Sequence, residues 1–270
     1  MTVADWLQQT TAHLNTAGIE TARLDALILL GDALSHDRAW LLAHPEAPIN
    51  DTQLAELTAA IERRSTHEPL AYIRKHVEFY GRTFMVNEHV LVPRPESETI
   101  IELLRQLHIH GATIADIGTG SGALAITAAL ELPEVTVAAV DIDVACLAVA
   151  AHNAAQHDIK LELFNGNLLE PFLQKSCNFK PTVLLCNLPY VPSDYQINRA
   201  ATHEPRIALF GGTDGLDLYR TLFTQAEALK PALIVTESLP DQHAALTEIA
   251  NQHRYQLQLS EDFIQAFTRY

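Results

Sequence analysis

The chain has 270 residues, with 18 Lys and Arg against 33 Asp and Glu and a formal net charge of −15. Apolar residues make up 48% and charged residues 19%, enough for a sizeable core and too little charge for a disordered chain. The acidic excess holds on both sides of residue 90, seven basic against twelve acidic residues before it and eleven against twenty-one after, which disfavours a stable nucleic-acid binder.

Residues 1–66 read as helices only. Trp6, Leu7 and Leu14 fall at helical spacing, Leu24, Leu27, Ile28, Leu30 and Leu34 make a second stripe, and Leu54, Leu57 and Ile61 a third with Asp51 as its N-cap. A bundle of four or five short helices is expected. Residues 67–92 change character: Phe79, Phe84, Val86, Val90 and Val92, broken by Gly81 and Asn87, predict a β-hairpin connector. Pro93-Arg94-Pro95-Glu96 holds the chain extended, and Pro95 opens a helix running to Leu107.

From residue 111 strands and helices alternate. Thr113–Ile117, Val135–Val140, Leu161–Phe164, Val183–Cys186 and Ala232–Thr236 read as strands, with helices at Ala123–Leu130, Val144–Gln156 and Leu218–Leu229. That order implies a parallel α/β sheet with right-handed crossovers. Tyr255–Leu259 and Phe263–Phe267, joined by the short Ser260-Glu261-Asp262 turn, add a hairpin whose last strand runs antiparallel. The expected domains are 1–66, the connector 67–92, and 93–270.

Three cysteines without a Cys-x-x-Cys pair, and 13 scattered histidines, give neither a disulfide framework nor a metal-ligand pattern. No metal is expected. The start of the chain has no basic segment followed by an apolar one, and no apolar run approaches the ~18 residues of a membrane span. A cytoplasmic protein is expected.

Asp116-Ile117-Gly118-Thr119-Gly120-Ser121-Gly122 links the first sheet strand to its helix. Such a turn exposes main-chain N–H groups to a ligand. After the next strand, Asp141 stands where a carboxylate can accept both hydroxyls of a ribose, followed by Ile142. The spacing is Gly-x-Gly-x-Gly, not the Gly-x-Gly-x-x-Gly of dinucleotide sites, and Asp116 would repel a pyrophosphate while suiting an ammonium or sulfonium. S-adenosylmethionine carries both cations and no phosphate. The bland alternative is a turn that merely joins strand to helix. Asn167 and Leu168, after the third strand, are candidates for the adenine edge and face, or simply an Asn-Gly turn with core neighbours.

The strand Val183–Cys186 ends in Asn187-Leu188-Pro189-Tyr190. Proline cannot continue a sheet, so the chain leaves at the carboxyl edge, where parallel α/β sheets bind ligands. Asn187 offers an amide oxygen, Leu188 a carbonyl held outward by Pro189, and Tyr190 a ring. This set suits one task, gripping a planar –NH2 group. In isolation such a segment more often is a strand stopped by proline with a packed tyrosine; after the Gly-x-Gly-x-Gly turn and Asp141 that becomes the minority reading.

The chain resembles the release-factor glutamine methyltransferases (the HemK family) over nearly its whole length. The resemblance lies in Glu68–Ile73, Glu78–Gly81, Val92-Pro93-Arg94-Pro95-Glu96-Ser97-Glu98, Asp116–Gly122, Asp141, Asn187–Tyr190, Glu204-Pro205, Ala208-Leu209 and Asp214–Leu216. It implies a seven-stranded Rossmann-like fold that uses S-adenosylmethionine, releases S-adenosylhomocysteine, and methylates the N5 amide nitrogen of the Gly-Gly-Gln glutamine in class 1 peptide release factors. By the same analogy Gly118–Gly122 and Asp141 hold the cofactor, Asn187–Tyr190 hold the glutamine, and the helical domain clasps the release factor. The chain departs from the family at Leu188, where proline is usual, at Asn167, usually acidic, at Leu168, often aromatic, and at His67 and Lys75, usually glycine. The tail after Glu261 is short and lacks the family's usual Gly near the last strand. Rival readings are a ribosomal-protein glutamine methyltransferase and an rRNA adenine-N6 methyltransferase. A non-catalytic adaptor would be expected to lose Asn187 or Asp141, and both are present.

Overall fold

A computed structural model describes residues 1–270. The chain divides into two compact units, Met1–Lys75 with Asn198–His203, and His76–Ile197 with Glu204–Tyr270.

The first unit is helical: α1 (Val3–Thr16), α2 (Ala22–Leu34), α3 (Arg38–Ala43), α4 (Asp51–Ser65) and α5 (Leu70–Arg74). Its core gathers Val3, Trp6, Leu14, Leu30, Leu41 and Leu57. Two details differ from the sequence reading. The N-cap of α4 is Asn50, not Asp51, because the Asn50 side chain accepts from the Gln53 N–H while the Gln53 side chain accepts from the Asn50 N–H. Leu24 is exposed, and Asp25 is buried in its stead, where it accepts from Thr21 and pairs with Arg64 at 2.7 Å. His67 and Lys75 adopt φ of +70° and +65°. These are the two positions where the resemblance leads one to expect glycine, and a side chain in that region is strained. The segment Asn198–His203 completes this unit, with His203 Nε2 donating to the Thr66 carbonyl at 2.9 Å.

The second unit opens with the two-stranded antiparallel β1 (His76–Phe79) and β2 (Arg82–Met85). Phe79 and Phe84 of this hairpin are buried in the sheet's core. The Pro-Arg-Pro segment leads through a single 3-10 turn (Pro95–Ser97) into α6 (Glu98–Gln106). The elements that follow are β3 (Thr113–Ile117), α7 (Ala123–Glu131), β4 (Thr136–Asp141), α8 (Val144–Gln156), β5 (Glu162–Asn165), α9 (Glu170–Leu173), β6 (Val183–Cys186), α10 (Arg206–Leu209), α11 (Asp217–Leu229), β7 (Leu233–Glu237), α12 (His243–Gln252), β8 (Tyr255–Glu261) and β9 (Ile264–Arg269). The helix α12, which the sequence reading did not place, buries Leu246, Ile249 and Ala250.

The strand order is β5-β4-β3-β6-β7-β9-β8. Strands β3 to β7 are parallel, and β9 inserts antiparallel between β7 and β8. Apolar cores lie on both faces, as a parallel sheet requires. The order reverses between β3 and β6. This is the switch point at which open α/β sheets present their ligand crevice, and the ends of β3 and β6 carry the glycine turn and Asn187. No helix is long and apolar enough to cross a membrane.

Candidate active site

The glycine turn is folded by its own main chain. Gly118 and Thr119 N–H groups both donate to the Val140 carbonyl, at 2.9 and 3.0 Å, and Gly122 N–H closes back onto the Thr119 carbonyl at 2.9 Å. At Gly122 the φ is +80°, and a Cβ would lie 3.1 Å from that of Ala150, so glycine lets α7 and α8 approach. A Cβ at Gly120 would meet nothing within 4 Å, because that face looks into open space.

The space is a cleft of about 160 Å³, open to solvent. Gly118, Gly120, Asp141, Ile142, Asn167 and Leu168 line it on one side and Asn187, Leu188 and Pro189 on the other. A smaller adjoining hollow shares Gly118, Gly120 and Asn187 and reaches Asp116, Thr119 and Ser121. The structure thus brings every sequence-selected residue but two to one crevice. Gly122 sits behind it, packed on α8. Tyr190 stands one residue beyond Pro189, half-buried.

The two aspartates differ in role. Asp141 accepts the Gly120 N–H on Oδ2 at 2.9 Å and the Asp143 N–H on Oδ1 at 3.0 Å. Each oxygen keeps a second lone pair. Burial raises its pKa, and the two main-chain donors oppose that rise. Asp116 is fully buried and accepts Thr119 Oγ1 at 2.7 Å and Ala125 N–H at 3.2 Å, both on Oδ2. Burial pushes its pKa up to about 7, against the pull of those donors. Its carboxylate therefore holds the turn from inside.

Beside β3, the chain leaving β6 is clamped. The Leu188 N–H donates to the Tyr219 hydroxyl at 3.3 Å, and that hydroxyl also contacts the carbonyls of Cys186 and Glu237. The Leu188 side chain is buried, 3.2 Å from where a Cβ of Gly118 would lie, so it seals the turn against the loop. The Tyr190 carbonyl accepts Gln242 Nε2 at 2.7 Å. Gly211 and Gly215 pass so close that a Cβ would stand 2.2 Å from the Pro189 oxygen or 2.0 Å from the Tyr190 oxygen. The loop is rigid without a second proline.

The side chains of this loop meet a buried carboxylate. Glu237, at the end of β7, is 1% exposed. It accepts the Tyr190 hydroxyl on Oε1 at 3.0 Å and the Ser97 hydroxyl on Oε2 at 2.6 Å. Ser97 in turn accepts Asn187 Nδ2 at 2.8 Å. Burial raises the Glu237 pKa, with the Ser97 and Tyr190 donors opposing. Burial followed by the Glu237 charge raises that of Tyr190. Neither Asn187 Oδ1 nor the Leu188 carbonyl accepts a hydrogen bond within the chain. Two oxygens are thus left for a ligand at the cleft wall.

Sequence reasoning missed Ser97, Tyr219, Glu237, His89 and Leu91. His89 and Leu91 line the cleft from the segment after β2. Ser97 lies within the Val92–Glu98 motif, and its sequence context assigns it no role of its own. Glu237 carried one signal, a carboxylate ending an apolar strand. Arg94 pairs with buried Glu204 at 2.6 Å, which ties the Pro-Arg-Pro-Glu segment to the Glu-Pro segment.

Comparison with known proteins bears on what this crevice serves. The chain is 37% identical over 233 residues to a release factor glutamine methyltransferase of Geobacter sulfurreducens, covering 85% of this chain and 80% of that one. It is 38% identical over 258 residues to one of Moorella thermoacetica, covering 93% and 90%. The chain belongs to the release factor glutamine methyltransferase family. Within this methyltransferase, residues 5–74 match the family described as the PrmC N-terminal domain and residues 96–204 the methyltransferase small domain. A crystal structure of a methyltransferase from Pyrococcus furiosus shares the fold, with a TM-score of 0.53 at 16% identity over 82% of this chain and 99% of that one.

Membership of a methyltransferase family implies a methyl donor of the S-adenosylmethionine type. The crevice suits such a group. Asp141 keeps acceptor capacity for hydroxyls, Ile142 is 55% exposed and offers an apolar face, and the Gly120 face is open for close approach.

Proposed function

We propose that this protein transfers the methyl group of S-adenosylmethionine to the side-chain amide nitrogen (N5) of the glutamine in the Gly-Gly-Gln motif of class 1 peptide release factors, leaving S-adenosylhomocysteine. The observation that carries this reading is the pair of unspent oxygens, Asn187 Oδ1 and the Leu188 carbonyl, at the wall of the cleft that holds Asp141 and Gly120.

In this reading Asp141 accepts the ribose hydroxyls, Gly118–Gly122 carry the methionine end, and Asp116, Thr119 and Ser121 shape the turn beneath it. Ile142 and Leu168 flank the adenine, and Asn167 meets its edge. When bound, the cofactor supplies a methyl group activated by a sulfonium charge.

A carboxamide nitrogen is a weak nucleophile because its lone pair is delocalised into the carbonyl. Asn187 Oδ1 and the Leu188 oxygen each accept one of its two N–H groups. That fixes the rotation of the –NH2 group, favours its pyramidalisation, and stabilises positive charge as it builds on nitrogen. Pro189 keeps the Leu188 carbonyl outward, and the Tyr190 ring, anchored through its hydroxyl to Glu237, covers the group and keeps water away. No strong base is needed, since the proton leaves to water after transfer.

We also assign residues 1–66 as a helical substrate-recognition domain, 67–92 as the β-hairpin connector and 93–270 as the catalytic domain. The similarity of residues 5–74 to the PrmC N-terminal domain supports a separate helical N-terminal domain, and that match and the first compact unit both extend past residue 66, to 74 and Lys75. The partner is a release factor, and neither stable nucleic-acid binding nor membrane association is part of the reading.

The test is incubation with methyl-labelled S-adenosylmethionine and separate pools of release factor, ribosomal protein and rRNA. Label should enter the release factor at its Gly-Gly-Gln glutamine. Label in ribosomal protein or rRNA alone would reject the assignment.

A further inference from the structure

The amide of Asn187 has two possible faces, related by a half-turn about its last bond, and only one presents an acceptor to the cleft. Its neighbours decide which. Glu237 is buried to 1% exposure and accepts two hydroxyl protons, one on each oxygen. Ser97 is itself buried to 2% and owns a single proton, which the 2.6 Å bond to Glu237 Oε2 takes. Toward Asn187 the Ser97 oxygen can therefore only accept. It accepts Nδ2 at 2.8 Å. The flipped amide would set oxygen against oxygen at that distance with no proton between them.

We propose that Ser97 and Glu237 are positioning residues for the methyl transfer: the carboxylate polarises the serine hydroxyl, and the hydroxyl locks the Asn187 amide with Oδ1 toward the acceptor carboxamide. Both act through Asn187: Ser97 is only 2% exposed at the wall of the smaller hollow, and Glu237 is 1% exposed and lines neither space. The strands bring them together. Cys186 and Thr236 are register partners on β6 and β7, so the residues that follow, Asn187 just past β6 and Glu237 ending β7, stand side by side at the carboxyl edge. The 3-10 turn at Pro95–Ser97 inserts the serine between them. The same carboxylate fixes the Tyr190 hydroxyl, so a single buried charge orients both the acceptor and the aromatic cover.

This proposal rests on the glutamine-methylation reading for its kinetic consequence but not for its spectroscopic one. The experiment compares Ser97→Thr, Ser97→Cys, Ser97→Ala and Glu237→Gln in the full chain. The first readout needs no methyl acceptor: the side-chain 15N–1H2 resonances of Asn187. In the parent and in S97T one Asn187 proton should exchange slowly and be shifted downfield, and in S97A and S97C that signature should be lost. The second readout is turnover on release factor with labelled cofactor. kcat should stay within about threefold in S97T and fall about 30-fold or more in S97C, S97A and E237Q, the scale set by losing one preorganised hydrogen-bonding group. Cofactor affinity by calorimetry should stay within about twofold, since Glu237 lines neither space and Ser97, at the wall of the smaller hollow, is 2% exposed.

A filler role would follow volume, leaving S97C as active as the parent. That result, or unchanged Asn187 resonances in S97A, overturns the proposal. A parent that shows the signature yet methylates no release factor overturns the function and leaves the relay standing.

Discussion

Asn187 Nδ2 donates to Ser97 Oγ at 2.8 Å across ninety residues of sequence. The bond spends the nitrogen end of the amide inside the protein and leaves the oxygen end for a ligand. Asn187→Ala should therefore reduce kcat about 100-fold or more, comparable to losing an oxyanion-hole side chain, with cofactor affinity changed little. Asn187→Asp is the sharper variant. It keeps an outward oxygen but sets a second oxygen against Ser97, whose proton is committed. Its turnover should fall nearly as far as that of the alanine variant. Single-turnover rates with labelled cofactor, beside calorimetric affinities, check both. A fully active Asn187→Ala protein would remove the proposed mechanism.

Much of the second unit was legible because its signals are local. Thr113–Ile117 and Val183–Cys186 are short apolar runs bounded by Gly or Pro, and such runs in βα alternation have few other solutions. The same holds for the glycine turn and for Asn187–Tyr190, whose backbone restrictions are written in glycine and proline. The relay was not legible because it is non-local: Ser97, Asn187 and Glu237 come from three segments, and nothing in Leu233-Ile234-Val235-Thr236-Glu237 says that its carboxylate is buried rather than solvated. The helix α12 escaped because its apolar positions are diluted by alanine, threonine and asparagine. Leu188 is instructive in another way. Leu188 lacks the backbone restriction of the family's proline, but rigidity here comes from Gln242, Tyr219 and two close-packed glycines, all distant in sequence.

Gly215→Ala tests that source of rigidity. The φ at Gly215 is +80°, and the new methyl would fall 2.0 Å from the Tyr190 carbonyl carried by the catalytic loop. Strain in the left-handed region plus the displaced contact should cost about 2 kcal/mol or more. The loop must move to make room, so kcat should fall more than cofactor affinity. Chemical denaturation together with steady-state kinetics reads both. An alanine variant with parental stability and turnover would show that the loop is not clamped there.

Lys75→Gly should act in the opposite direction. Lys75 is exposed at φ +65°, where the left-handed conformation costs a side chain roughly 1–2 kcal/mol. Part of that gain is returned because glycine loosens the unfolded chain. The net stabilisation should be about 0.5–1 kcal/mol, visible as a higher denaturation midpoint with an unchanged slope. A destabilised variant would mean that the lysine makes contacts worth more than its strain.

Asp141→Asn separates charge from shape at the cleft. Asn can still accept the Gly120 N–H on one oxygen, but it loses the second acceptor that now takes the Asp143 N–H at 3.0 Å. Loss of an ionised hydrogen-bond acceptor is worth about 1.5–3 kcal/mol, so cofactor affinity should fall about 10- to 100-fold. kcat at saturating cofactor should change far less. Calorimetric titration checks this, and an unchanged dissociation constant would withdraw Asp141 from the ribose.

Asp116 links pH to both stability and binding. Its carboxyl titrates near 7 in the folded protein, raised from 3.8 by burial. Between those values the folded chain holds a proton that the unfolded chain has released, so this group's contribution to stability is greatest at low pH and declines as pH rises to about 7. Above that it is level. Asp116→Asn has no proton to lose. The parent-minus-variant stability should therefore fall from pH 5 to pH 8, with the cofactor-free variant the more stable of the two at pH 8. Cofactor binding should show the reverse preference. An ionised Asp116 beside the glycine turn favours a cationic ligand, so parental affinity should climb as pH rises through 7 while that of Asp116→Asn stays flat. Denaturation curves and calorimetric titrations at pH 5, 6, 7 and 8 on both proteins decide the matter. Parallel affinity profiles would assign Asp116 to holding the turn alone and leave the ligand's positive charge to be met elsewhere in the cleft.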